Sequence, residues 1–181
     1  MRFDDLEYVK QYNKTGKFPK IHDDIALLDE YVPEGVVLDL GCCTGLLACR
    51  LAQKHKHVIG IEPNKQYLAN AVRKENVNYV NLKICEQNME QLKEILNNWN
   101  VTCVYARRVL PEICDAGGTK LVRSMLAMFK DCGVKHIVIE GRKCSKNSTH
   151  LLKSIEREKE MFSGLYVNIH NYKNCSLFTI L

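Results

Sequence analysis

The stretch Val36-Val-Leu-Asp-Leu-Gly-Cys-Cys-Thr-Gly45 decides the fold. Its first five residues form a nearly continuous apolar run, the pattern of a strand buried on both faces, and the chain then passes at once into a turn with glycines at 41 and 45. Glycines there let bare backbone amides approach a ligand at the amino end of the following helix. Strand, turn and helix read together as the opening of a βαβ unit with a polar ligand beside Asp39.

Outward from this turn, runs rich in Val and Ile alternate with helical patterns, which is the signature of a mainly parallel sheet. The spacing predicts strands at Val36–Leu40, Val58–Glu62, Tyr79–Ile84, Val101–Ala106 and His136–Glu140. Between them it predicts helices at Leu46–His55, Asn64–Glu75, Met89–Asn98 and Thr119–Lys130, the last ended by Gly133. A charged helix over Thr149–Phe162 follows, and then two more strands, Tyr166–His170 and Ser176–Leu181. Only Asn-Tyr-Lys-Asn-Cys separates those two, too short for a parallel crossover, so they pair as an antiparallel hairpin. Residues 1–34 read as a peripheral helical extension, and 35–181 as a single α/β domain.

Composition sets limits on function. The 181 residues are 46% hydrophobic with a net charge of +5, and no apolar run reaches the roughly 18 to 20 residues of a membrane helix. The acidic, polar start is unlike a signal peptide, so the expectation is a cytoplasmic protein without a membrane partner. The nine cysteines are odd in number and lack paired CxxC spacing, which indicates reduced apolar fillers and no metal site.

Glu62, at the end of the second strand, lies about 20 residues beyond the glycines, the offset at which a carboxylate accepts hydrogen bonds from a ribose diol. A nucleoside-containing cofactor is therefore expected. A dinucleotide fingerprint requires G-x-G-x-x-G, and the order Asp39-Leu-Gly41-Cys-Cys-Thr-Gly45 matches it poorly. The stretch instead resembles the first motif of class I S-adenosylmethionine (SAM)-dependent methyltransferases, acid-x-Gly-x-Gly-x-Gly, with Cys43 standing at the family's central glycine. The resemblance spans nearly the whole chain. It implies a Rossmann-like three-layer sandwich with a seven-stranded, mainly parallel sheet of order 3-2-1-4-5-7-6 and an antiparallel last strand. It also implies SAM as cofactor, with Asp39 near the cofactor's ammonium end and Glu62 on the ribose. The implied cofactor-binding set is Asp39, Gly41, Cys42, Cys43, Gly45, Glu62, Pro63, Asn88, Met89 and Ala106, where Asn88 hydrogen-bonds adenine and Met89 packs on its face.

Ligands in such sheets sit outside the carboxyl ends of the strands, so the segments after the fourth and fifth strands should face the transferred methyl. Both are basic. Arg107, Arg108, Arg142, Lys143 and Lys146 gather on one rim, with Glu112 and Glu140 as counter-charges, and Arg107, Arg108, Glu112, Glu140 and Arg142 are the catalytic candidates. Two uses of Arg107 and Arg108 compete: an anion-binding rim, or a buried pair with Glu112 or Glu140. His150 is a further candidate base. No Asn/Asp-Pro-Pro-aromatic motif follows the fourth strand, against exocyclic-amine DNA methylation, and no Pro-Cys pair offers a covalent nucleophile. The basic rim favours a nucleic acid or another anionic substrate. Cys43 and the absence of an obvious base motivate a second reading, a non-catalytic scaffold that keeps the fold; a nucleotide-dependent oxidoreductase is disfavoured by the glycine spacing.

Overall fold

The structure, a computed structural model, describes residues 34–142, 155–165, 167–171 and 175–180. The expected extension at 1–34 lies outside these but for Glu34, as do Lys143, Lys146 and His150. Seven strands form one sheet: β1 (Val36–Leu40), β2 (His57–Ile61), β3 (Val77–Val80), β4 (Cys103–Arg107), β5 (His136–Arg142), β6 (Val167–Asn171) and β7 (Cys175–Ile180). Their spatial order is β3-β2-β1-β4-β5-β7-β6, with β1 to β5 parallel and β7 antiparallel to both β5 and β6. The closing hairpin is the one predicted from loop length, and the strand order is the one the family resemblance implies.

Alternation along the strands builds two cores. Leu38, Leu40, Ile59, Ile61, Val104, Ala106, Ile137 and Ile139 point to one face and pack against α3 (Met89–Asn98) and α4 (Leu110–Asp131), with Met161 of α5 (Ile155–Met161) joining them. Val37, Val58, Cys103, Tyr105 and Val138 point to the other, against Leu47, Ala48 and Leu51 of α1 (Leu46–Leu51). Both faces of the central strands are covered, which is why these strands read as unbroken apolar runs. Asp39 shares the α1 face with Val37, so its carboxylate is carried into the interior beside the first turn of that helix.

Several boundaries differ from the sequence-based expectation. The third strand ends at Val80 because its partner β2 ends opposite it; Leu82 and Ile84, expected within the strand, are buried beyond the ladder. The helix expected over Asn64–Glu75 is only α2 (Lys65–Ala69), capped by the Asn64 side chain, because the Val72 amide leaves the helix to bond the Thr44 carbonyl. The first helix likewise stops at Leu51. The segment after β4, expected as a loop up to Thr119, is already helical from Leu110, with Pro111 in its first turn and a kink at Gly117 and Gly118 before the apolar run to Asp131.

Candidate cofactor and acceptor site

At the carboxyl end of β1 the chain folds back on β2: the amides of Gly41 and Cys42 both donate to the Ile61 carbonyl at 2.9 Å. The Glu62 carboxylate then closes the turn, with Oε2 accepting from the Cys43 amide at 3.1 Å and Oε1 from the Asn64 amide at 2.9 Å. Cys43 and Glu62, 19 positions apart in the sequence, are thus in direct contact. Gly45, in left-handed backbone, opens α1, and a methyl group there would overlap the Tyr79 hydroxyl, which itself donates to the Val72 carbonyl at 2.6 Å. Cys43 is also left-handed, at φ 53°, so the backbone conformation that favours glycine persists although the glycine does not.

Asp39 is the most perturbed acid of the site. It is 1% exposed, its Oδ2 has no hydrogen-bond partner, and burial raises its pKa to about 7 against a lowering pull from the Arg107 guanidinium. Burial likewise raises Glu62, opposed by its two amide donors. The Cys43 thiol is pushed up to about 12 by burial and by Glu62, which keeps it a neutral thiol. Cys42 is raised further, by burial first and then by the charges of Asp39 and Glu62.

Beside this turn lies a cavity of about 100 Å³. Gly41 and Pro63 of the expected set line it, together with Leu40, Ile61, Leu82, Lys83, Ile84, Val109, Glu112, Ile113 and Ala116. Asn88 and Met89 do not line it: the Asn88 amide donates to the Lys83 carbonyl at 3.0 Å, and Met89 packs on the core. Ala106 is buried in β4, opposite Leu40. Sequence reasoning missed Asn81, whose side-chain amide donates to both the Glu62 and Pro63 carbonyls, at 2.9 and 2.8 Å, and so ties the β3 exit to the acid at the end of β2. The strand expected over Tyr79–Ile84 hides Asn81 inside it; only the end of β3 at Val80 puts it directly after a strand.

At the carboxyl end of β4 the two arginines converge on one acid, Glu140 of β5. Glu140 is 4% exposed; its Oε2 accepts from Arg107 Nε at 2.7 Å and from the Tyr105 hydroxyl at 3.4 Å, and its Oε1 accepts from Arg108 Nε. Glu140, not Glu112, is therefore the counter-charge of both arginines; Glu112 instead lines the cavity and raises Glu62 through its charge. Arg142 ends β5.

The site fits SAM in the chemistry of its groups. A buried carboxylate oxygen without a partner suits an ammonium, the carboxylate of Glu62 retains lone pairs for hydroxyl donors, and the apolar walls from Ile61, Leu82, Ile84 and Ile113 suit a nucleobase.

Comparison with known proteins agrees with this architecture. A family model described as a methyltransferase domain matches residues 37–133, more than half of the 181-residue chain. A probable cobalt-precorrin-6B C(15)-methyltransferase (decarboxylating) from Methanococcus vannielii is 24% identical over 125 residues; the match covers 69% of this chain and 62% of that protein. Among solved structures, the DhpI–SAH complex has a TM-score of 0.61 at 15% identity, covering 98% of this chain and 95% of its own. A SAM-dependent methyltransferase from Anabaena variabilis has a TM-score of 0.64 at 14% identity, covering 99% and 94%. The bifunctional kinase-methyltransferase WbdD, at TM-score 0.66 and 15% identity, is matched over 80% of this chain, which spans about a third (34%) of its length.

Proposed function

The chain belongs to the methyltransferase domain family, and from that premise we propose that it transfers a methyl group from SAM to an acceptor bearing an anionic group. The observation that carries the cofactor half is Asp39: a buried carboxylate with an unpartnered oxygen, beside a turn whose amides and Glu62 are already aligned. An orphaned buried acceptor is costly unless a donor completes it, and an ammonium group does so. Bound SAM supplies an electrophilic methyl on its sulfonium. The chain supplies the rest: Asp39 holds the amino group, Glu62 accepts from the ribose hydroxyls, and Leu82, Ile84 and Ile113 enclose the base. Methyl transfer by in-line displacement then depends on positioning and water exclusion at the ends of β4 and β5.

The acceptor half rests on the convergence of Arg107 and Arg108 there. The Methanococcus vannielii protein supports it, since a decarboxylating reaction acts on a substrate that carries a carboxyl group. A nucleic acid, the other anionic acceptor expected from the basic rim, is separated by its salt dependence.

Isothermal titration with SAM and with S-adenosylhomocysteine (SAH) tests the proposal. Micromolar binding of both, lost in Glu62→Ala and weakened in Asp39→Ala, is the expected result. No binding at high protein concentration would make the scaffold reading the better one.

A further inference from the structure

The Arg107–Glu140–Arg108 cluster is asymmetric, and the asymmetry identifies one residue. Arg107 is 13% exposed and Arg108 is 34% exposed. Each gives its Nε to Glu140, a side-on use of the guanidinium that leaves the terminal nitrogens of Arg108 uncommitted; among the described residues Glu140 is the only partner of that side chain. Its backbone is held as firmly as its side chain. The Arg108 amide donates to the Glu140 carbonyl at 2.8 Å, in a left-handed conformation at φ 55° that a non-glycine residue adopts at a cost of about 1 to 2 kcal/mol. Strain of this kind persists where surrounding contacts impose it, and it clusters at ligand clamps. The next residue, Val109, lines the cavity.

From these observations we infer that the end-on fork of Arg108, its two terminal nitrogens, binds a single carboxylate or phosphate group of a small acceptor, with Glu140 as the positioning residue. This rests on the anionic-acceptor reading above and names the group that would recognise the anion. A planar fork pairs with either anion through two parallel hydrogen bonds, which a lysine ammonium cannot reproduce. Glu112, which lines the cavity, and Glu62, between the lining residues Ile61 and Pro63, oppose a polyanionic strand at the same site. A small acceptor is therefore favoured over a nucleic acid.

The experiment uses the full chain saturated with SAH. It is titrated with inorganic phosphate and, separately, with malonate, at ionic strength fixed by potassium chloride, while arginine side-chain N–H resonances are followed by NMR. The expected result is a saturable shift with at least one of the two anions, and the responding anion distinguishes phosphate from carboxylate. Arg108→Lys and Arg108→Gln should weaken it about tenfold or more while SAH still binds, and exposed Lys120→Ala should leave it unchanged. The inference is overturned if neither anion saturates although SAH binds, or if both Arg108 variants keep full affinity. It is also overturned if a short single-stranded RNA binds with a salt slope of several charges and is indifferent to Arg108→Lys. Should SAH itself fail to bind, the cofactor reading fails first, and the same titrations of the unloaded chain still decide the role of Arg108.

Discussion

At the scale of single residues, Cys43 and Asp39 carry opposite lessons. Cys43 stands where the family has glycine, and its φ of 53° shows that the backbone has kept the glycine conformation. Cys43→Gly removes about 1 to 2 kcal/mol of left-handed strain but loosens the unfolded chain by about 0.4 to 1 kcal/mol. A net gain of about 0.5 to 1 kcal/mol is expected, whereas the β-branched Cys43→Val should lose stability. Urea unfolding of the three proteins checks the order Gly above Cys above Val; a valine as stable as cysteine would mean that the turn is not held left-handed. Asp39 could be assigned from the motif, but its charge state depends on burial that no sequence displays. With its pKa raised from 3.8 to about 7, the native state holds a proton that the unfolded chain has already released. Stability contributed by this group is therefore present below about pH 4 and lost as pH rises through about 7. The stability of Asp39→Asn relative to the parent should improve between pH 5 and pH 8, and an unchanged difference would contradict the buried, unpaired carboxyl. An ammonium beside Asp39 favours its ionised form, so SAM should bind about an order of magnitude more tightly at pH 7.5 than at pH 6 in the parent, a pH dependence that the asparagine variant should lack.

At the scale of elements, what the sequence displays is what neighbouring positions determine. The strands of the sheet centre, the helix Met89–Asn98 and the closing hairpin follow from apolar period and loop length, and the ends of β1, α3 and β5's start fall where the pattern puts them. Elements shaped by distant partners were not legible in the same way. The helix after β2 is cut short by a bond from Val72 to Thr44, and the carbonyls of Glu62 and Pro63 are held by Asn81, nearly 20 residues away. The start of α4 was hidden for another reason: Gly117 and Gly118 break its apolar rhythm and make its first two turns resemble a loop. Gly118 lies at φ 69° with open space around its missing side chain, so Gly118→Ala isolates the backbone cost of the kink. With ψ at −172° this conformation is nearly confined to glycine, and a loss of about 1 to 3 kcal/mol is expected, read as a lower urea midpoint with an unchanged slope. No loss would mean that α4 runs straight through 117 and 118 and that the Leu110–Ala116 segment is not independently aimed at the cavity.

At the scale of the whole molecule, the candidate site hangs on the central, most deeply buried strands. Asp39, Gly41 and Glu62 lie on or just beyond β1 and β2, Arg107 closes β4, and these strands are central, with Val37, Leu38, Val58, Ile59 and Val104 fully buried. Fraying of an edge such as β6 leaves the site at their ends intact; the site is lost only when the sheet itself opens. SAH at about 100 times its Kd should then stabilise the protein by about 2.7 kcal/mol, a rise of roughly 5 to 10 °C in Tm for a domain of this size, in a single transition. Hydrogen exchange gives the sharper reading. If the coupling is global, the slowest amides of β1, β2 and β4 slow by the same factor as the amides of the 41–45 turn, and Glu62→Ala abolishes both effects together. If only the turn is protected while the strand amides exchange as before, the ligand orders a local unit and the central strands serve merely as its support.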